Sequence, residues 1–268
     1  MTAENSGDRS RSPAVTRAAA ILMTLAEDPR RSLGPSELSR RVDVPKATVL
    51  NICSALIEAQ LLRQTKHGYS LGRRLAELGK AYLASVEEVE EFYLLCRQLF
   101  GEAEQTVQMA VLGDGPNVVY LARHDGREPL HLGLASEIGR SVPAQCTAAG
   151  KALLAALTPR QLDRQLAGWP LRGLTEKSIT DEQALFNELA LTRERGYAVD
   201  NEEVVPGLYC FGRHVATPHR EDGLLAVSFT FRAHGRTDEH RAQAVAGLAH
   251  FAATFGAAIG GRDDQNKP

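Results

Sequence analysis

The sequence predicts an α+β chain with three parts: an N-terminal winged helix-turn-helix, a long linker helix, and a C-terminal α/β domain with an antiparallel sheet. Three observations carry this. Residues 33–56 read LGPSELSRRVDVPKATVLNICSAL, two short amphipathic segments around a tight polar break. Residues 61–71 hold two strand-like runs joined by Thr65-Lys66-His67. After Gly101 the helical period gives way to short alternating apolar runs interleaved with helices.

The first expected element is a helix from Thr16 to Glu27. Thr16 caps it, Ala18, Ile21, Leu22 and Leu25 form its buried stripe, and Pro29 ends it. In the next helix Leu38 and Val42 are apolar at helical spacing, while Ser36, Glu37, Ser39, Arg40 and Arg41 are polar. Asp43-Val44-Pro45 interrupts the pattern, and Pro45 suits the first turn of a new helix, where its missing N–H costs little. In that helix Val49, Ile52 and Leu56 share one face, which leaves Lys46, Thr48, Asn51 and Ser54 for another. A helix that can enter a major groove, followed by a basic hairpin over the backbone, is a duplex-binding unit. The plain alternative is a helix pair and a hairpin inside an enzyme.

A long helix is expected from about Arg73 to Phe100. Leu75, Tyr82, Val89 and Cys96 repeat every seven residues, as do Val86, Tyr93 and Phe100. Such a seam can pack against a second copy of the chain or against its own domain. Beyond it, strands are expected at 105–112, 118–123, 130–134, 197–199, 208–216 and 224–232. Helices are expected at 147–157, from Thr158-Pro159 onward, at 181–196 with Thr180 or Asp181 as cap and Gly196 at its end, and at 238–259. The domain reading is therefore 1–13 as a disordered arm, 14–72 as the winged helix-turn-helix, 73–101 as the linker helix, 102–260 as the second domain, and 261–268 as a disordered tail.

Charge is divided unevenly. Residues 1–80 hold 13 Lys+Arg against 8 Asp+Glu, and residues 81–268 hold 18 against 25. A basic front and an acidic rear fit one part that meets phosphate and one that avoids it, although drift of surface charge gives the same numbers. With 43% hydrophobic and 24% charged residues, the chain has an ordinary soluble composition. No apolar run is expected to cross a bilayer, and MTAENSGDRSRSP lacks the apolar core of a signal peptide. Cys53, Cys96, Cys146 and Cys210 are scattered with no C-x-x-C pair, which argues for a reducing compartment, the cytoplasm, and against a zinc finger.

Read together, four stretches resemble the IclR family of bacterial transcriptional regulators over nearly the whole chain, from about Val15 to Phe255. They are SELSRRVDVPKATV in the helix-turn-helix, GYSLG at the wing, TAAGKALLA from Thr147 to Ala155, and RGYAVDNEEVVPGLYC from Arg195 to Cys210. The resemblance implies an N-terminal DNA-binding domain, a C-terminal effector-binding domain, a homodimer or homotetramer on operator DNA, and a small organic ligand, often a carboxylic acid. One departure stands out. Many relatives carry His-Arg after the Thr-Val of the recognition helix, and here the pair is Leu50-Asn51. Asn51 can read adenine N6/N7 or contact a phosphate.

The candidate DNA contacts are Lys46, Thr48 and Asn51 from the helix, Arg63, Lys66 and His67 from the wing, and Arg17, with Arg9 and Arg11, from the N-terminal region. For the ligand, Thr147-Ala148-Ala149-Gly150 opens a helix, and helix N-termini present unpaired N–H groups to anions. Small side chains at Ala148, Ala149 and Gly150 let a ligand approach the backbone; they also serve close helix packing. The resemblance places an effector carboxylate on these amides and puts Asp200, Cys210, Ser228 and Thr230 in the pocket. Ser228 and Thr230, two apart on a strand, face the same side. Cys210 also reads as a buried small hydrophobe, and Asp200 also reads as a cap on the turn at Asn201. Leu134 and Leu208 are candidate apolar walls or plain core.

Cys210 with His214 and His219 suggests a nucleophile and base, or metal ligands. A strand would place Cys210 and His214 on one face but ~14 Å apart. No Gly-rich phosphate loop and no H-E-x-x-H is present. The reading is thus a non-enzymatic, ligand-responsive DNA-binding regulator, a repressor ahead of an activator. It has no catalytic residues, no metal, no cofactor and no membrane partner. The alternative is a small-molecule-binding module or enzyme whose N-terminal domain contacts protein.

Overall fold

The computed structural model describes residues 12–100, 105–126, 130, 137–216, 224–233 and 237–263. Its contacts divide the chain into two compact units, residues 1–82 and 83–268.

In the first unit, α1 runs Pro13–Ala26. It starts earlier than the expected Thr16, because the fixed φ of Pro13 suits the first helical position. Thr16 lies inside the first turn, where its hydroxyl donates to the Ser12 carbonyl at 3.4 Å. Next come α2 (Pro35–Arg41) and α3 (Lys46–Glu58). Asp43, with φ 49°, makes the left-handed break between them, a conformation Asp tolerates better than most residues. The hairpin of β1 (Leu62–Thr65) and β2 (Gly68–Leu71) follows, and Leu33 adds a bridge to Tyr69. Gly68 is required there: its φ is 134°, and a Cβ would lie 2.3 Å from the Leu33 carbonyl oxygen. The core gathers Ile21, Leu25, Leu38, Val49, Cys53, Leu56, Leu62 and Tyr69. Cys53 takes the buried place expected of Ile52, which is half-buried.

The expected single linker helix is two: α4 (Arg74–Ser85) and α5 (Glu87–Leu99). Val86 stands between them in extended conformation. Glu87, Glu88 and Glu90 then open α5, where acidic side chains favour a helix start. The seven-residue seam is therefore not continuous. On α4, Leu78 and Tyr82 are more than half exposed; on α5, Phe92, Leu95 and Cys96 are buried in the core of the second unit.

That unit is built on an antiparallel sheet in the order β5-β4-β3-β8-β7-β6. The strands are β3 (Thr106–Leu112), β4 (Asn117–His124), β5 (Ser141–Pro143), β6 (Ala198–Asn201), β7 (Leu208–Val215) and β8 (Leu225–Arg232). β5 and the 3-10 turn Ala144–Cys146 escaped the sequence reading, because three-residue elements carry no period. Of the strand expected at 130–134, Leu130 alone is described, and it lies outside any strand.

One sheet face packs on α5 and on α9 (Asp238–Asp263) through Phe229, Phe251, Phe255, Phe211 and Val227. By length and composition α9 is apolar enough to cross a membrane, contrary to the expectation from sequence. Its Leu248, Phe251, Ala252 and Phe255 are buried in this core. The other face is covered by α6 (Ala148–Ala156), α7 (Pro159–Leu166) and α8 (Glu182–Arg195), with Leu153, Leu154, Leu185 and Leu189 buried. As expected, Asp181 caps α8, accepting from Ala184 N–H at 2.8 Å, and Gly196 ends it with φ 79°.

Candidate functional site

The first unit presents cations on an open surface. Lys46 and Asn51 on α3 are exposed and Thr48 is half-buried. The core takes the opposite side of this helix through Val49, Cys53 and Leu56. Arg63, Lys66 and His67 are exposed on the hairpin, and Arg17 is exposed on α1. Arg63 Nε donates to the Leu71 carbonyl at 3.3 Å, which leaves the rest of its guanidinium outward. Among the described residues no hydrogen bond or ion pair ties down the side chains of Lys46, Asn51, Lys66 or Arg17. Arg31 and Arg41 differ, since they are paired with Glu37 and Glu27. A phosphate can therefore approach the sequence-selected cations without displacing a carboxylate. Arg9 and Arg11 lie outside the described residues.

In the second unit the sheet register builds a polar row. Asp200 pairs with Cys210, Cys210 with Thr230, and Thr230 with Thr106, on four adjacent strands. One step along, Ala198, Gly212, Ser228 and Gln108 form the next row. Alternate strand residues share a face, so Asp200, Cys210, Ser228 and Thr230 lie on one side, opposite the aromatic core. Thr230 Oγ1 lies 3.3 Å from Cys210 Sγ and 3.4 Å from Gln108 Oε1.

The α6 N-terminus sits directly on this face. A Cβ on Gly212 would come within 2.3 Å of the Ala148 carbonyl, and one on Gly150 within 2.3 Å of the Ala144 carbonyl. The small residues thus do serve close packing, and Ala148 and Ala149 are buried. Thr147 Oγ1 accepts the Gly150 N–H at 2.9 Å. That side-chain cap satisfies one first-turn amide.

Asp200 is buried, and its carboxylate accepts the Glu203 N–H at 2.7 Å, so it does cap the turn after Asn201. Burial pushes its carboxyl up to about 7, only partly offset by that amide. The sequence reading missed the neighbouring ion pair. Lys151 is 1% exposed, and its Nζ lies 2.6 Å from Glu203 Oε1 and 4.0 Å from Glu188 Oε1. Burial pushes the Glu203 carboxyl up while Lys151 opposes it. The signal was present: Lys151 is the one charge in AAGKALLAA, and a lone charge in an all-apolar helix has to find a buried partner.

Leu208 lines a cavity of about 540 Å³ with Val205, Pro206, Arg232 and Ala233. Leu134 and His219 lie outside the described residues. His214 is exposed on β7, and no metal-holding group of three or more His, Cys, Asp or Glu side chains occurs among the described residues.

Comparison with known proteins gives this arrangement its family. The model of the bacterial transcriptional regulator IclR C-terminal domain matches residues 80–255, and that of the IclR helix-turn-helix domain matches residues 14–66. The chain is 34% identical over 192 residues to the HTH-type transcriptional regulator KdgR of Escherichia coli (strain K12), covering 71% of each protein. Among solved structures, the Thermotoga maritima IclR superposes with a TM-score of 0.63 at 25% identity, over 92% of this chain and 98% of that one. An IclR homolog from Microbacterium hydrocarbonoxydans, solved in complex with 4-hydroxybenzoate, shares the fold at 20% identity and a TM-score of 0.66, over 91% and 99%. The helix-turn-helix and the sheet domain together place the chain in the IclR family of DNA-binding transcriptional regulators, which are not enzymes.

Proposed function

We propose that the chain is a cytoplasmic, ligand-controlled repressor that grips a two-fold operator as a homodimer or homotetramer and senses a small organic acid. The observation that carries the ligand half is the polar row Asp200–Cys210–Thr230 one pair along from Gly212, on which the α6 N-terminus packs. An acid carboxylate would accept the Ala148 and Ala149 amides, with Asp200, Cys210, Ser228 and Thr230 holding its other polar atoms and Leu208 forming apolar wall; Leu134, the other wall candidate, lies outside the described residues. Helix amides and a partial positive charge favour an anion at that point. The complex of a fold relative with 4-hydroxybenzoate, itself an organic acid, supports this class of ligand.

In the first unit, Lys46, Thr48 and Asn51 would enter the major groove. Arg63, Lys66 and Arg17 would hold phosphates. The exposed Leu78 and Tyr82 of α4 supply apolar surface for a second copy. The division read from the sequence, a DNA-binding domain at 14–72, a link at 73–101 and an effector domain at 102–260, is kept as the functional one, although the contacts divide the chain after residue 82, α5 packs in the second unit and α9 runs to Asp263. An effector changes operator affinity only by binding the DNA-competent and DNA-incompetent states unequally.

Fluorescence anisotropy with a duplex from upstream of the chain's own gene tests the DNA half. Affinity should fall steeply with salt, as counterion release requires. Binding indifferent to salt, or absent on every duplex, would favour a front domain that contacts protein. For the ligand half, Cys210→Leu and Ser228→Ala should each blunt the response to effector. An unchanged response in both would remove the site and leave DNA binding standing.

A further inference from the structure

We propose that the effector is a two-ended molecule, with one polar end at the Asp200–Cys210–Thr230 row and a second, anionic end held by Arg232 in the adjoining cavity. This rests on the reading of the row as the effector site. Leu208 pairs with Arg232 two residues along from the Cys210–Thr230 pair. Residues two apart on a strand share a face and lie about 7 Å apart. The pair between them, Tyr209 and Phe231, turns the other way, both meeting the ring of Phe211 in the aromatic core. Leu208 and Arg232 therefore continue the surface that carries Cys210 and Thr230.

The cavity at that end measures about 540 Å³, within the range of small-molecule sites. Val205, Pro206, Leu208 and Ala233 give its wall apolar side chains, and among the described residues Glu202 and Arg232 give it charged ones. Glu202 is committed to the protein: Oε1 accepts from Lys177 Nζ at 2.5 Å and Oε2 from the Gly207 N–H at 2.8 Å. It pins its own loop, and the Lys177 ammonium offsets its charge toward an incoming anion. Arg232 is exposed at the end of β8. A guanidinium has five donors in a fork that fits a carboxylate, so it can take a ligand beside any protein partner. A guanidinium fork at one end of a mixed wall favours a ligand with an anionic terminus there. Measured from the Cys210–Thr230 pair, where the first end sits in this reading, the two-residue step sets the separation of the ends at about 7 Å; the α6 amides over Gly212 lie a further step away.

Isothermal titration of the full-length chain with hexanoate, succinate, adipate and pimelate tests this. Adipate or pimelate should bind about tenfold tighter than hexanoate, the margin of one added charge-assisted contact, and succinate should be too short to reach both ends. Arg232→Ala should erase that margin while hexanoate binding is kept; Arg232→Lys should restore part of it. A margin that survives Arg232→Ala, or hexanoate equal to the diacids in the parent protein, overturns the second end. If in that case Cys210→Leu still abolishes binding, the row stands as the effector site without Arg232. Failure of all four acids to bind the parent protein overturns the acid reading and the two-ended ligand with it.

Discussion

Asp200→Asn should make the effector domain more stable at pH 8 and leave it nearly unchanged near pH 4. In the fold the carboxyl titrates at about 7, against an ordinary value of 3.8, because burial penalises the charge. Between those values the folded chain holds a proton that the unfolded chain has released. Stability from this group is thus fully present below about 3.8 and is lost as pH rises through about 7. The gap corresponds to roughly 4 kcal/mol, at about 1.4 kcal/mol per pH unit. Asparagine cannot ionise, and its Oδ1 still accepts the Glu203 N–H that Asp200 now holds at 2.7 Å. It forfeits the attraction between ionised Asp200 and Lys151, so the expected gain at pH 8 is about 2 to 4 kcal/mol. Trp169, the chain's one tryptophan, lies in the same unit. Urea unfolding followed by its fluorescence therefore reports this domain, and an unchanged m-value shows that the comparison is valid. Glu203 is shifted in the same direction, and its repulsion of ionised Asp200 is relieved in the variant, which adds to the gain at pH 8. Parallel stability curves from pH 4 to 8, or a variant weaker at pH 8, would refute the argument.

Three further outcomes are expected. Lys151→Met leaves Glu203 buried without its cation and should destabilise the domain by about 3 to 5 kcal/mol; pairing it with Glu203→Gln should recover most of the loss in the same urea assay, and no recovery would mean that the ion pair is not what holds α6 to the loop after β6. Gly212→Ala forces a methyl into the Ala148 backbone and should cost about 1 to 3 kcal/mol while operator affinity without effector stays the same; a variant of parental stability would show that α6 does not rest on that strand. Lys66→Ala should weaken binding to every duplex alike and lower the salt slope by about one, so a sequence-selective loss measured by anisotropy would place Lys66 on a base edge.

The helix-turn-helix was readable because its information is local. Leu38 and Val42 repeat at helical spacing, as do Val49 and Leu56, Pro45 punctuates between them, and the wing follows within a few residues. Exposure of Lys46 and Asn51 follows once the apolar residues choose a side. The break at Val86 was not readable, since the seven-residue repeat runs through it and one extended residue leaves no mark on periodicity. The effector domain divides the same way. Most strand and helix spans, the Asp181 cap and the Gly196 stop lie within short windows, and Asp200, Cys210, Ser228 and Thr230 could be named from alternation and family likeness. Their alignment in rows could not, because register joins residues far apart in the chain, as Thr106 with Thr230. Gly212 beneath Ala148, Lys151 on Glu203 and Arg232 beside Leu208 are likewise long-range pairings. Local sequence selects backbone conformation through sterics and side-chain period; which buried charge meets which partner depends on how the packed layers close, and that is a property of the assembled fold.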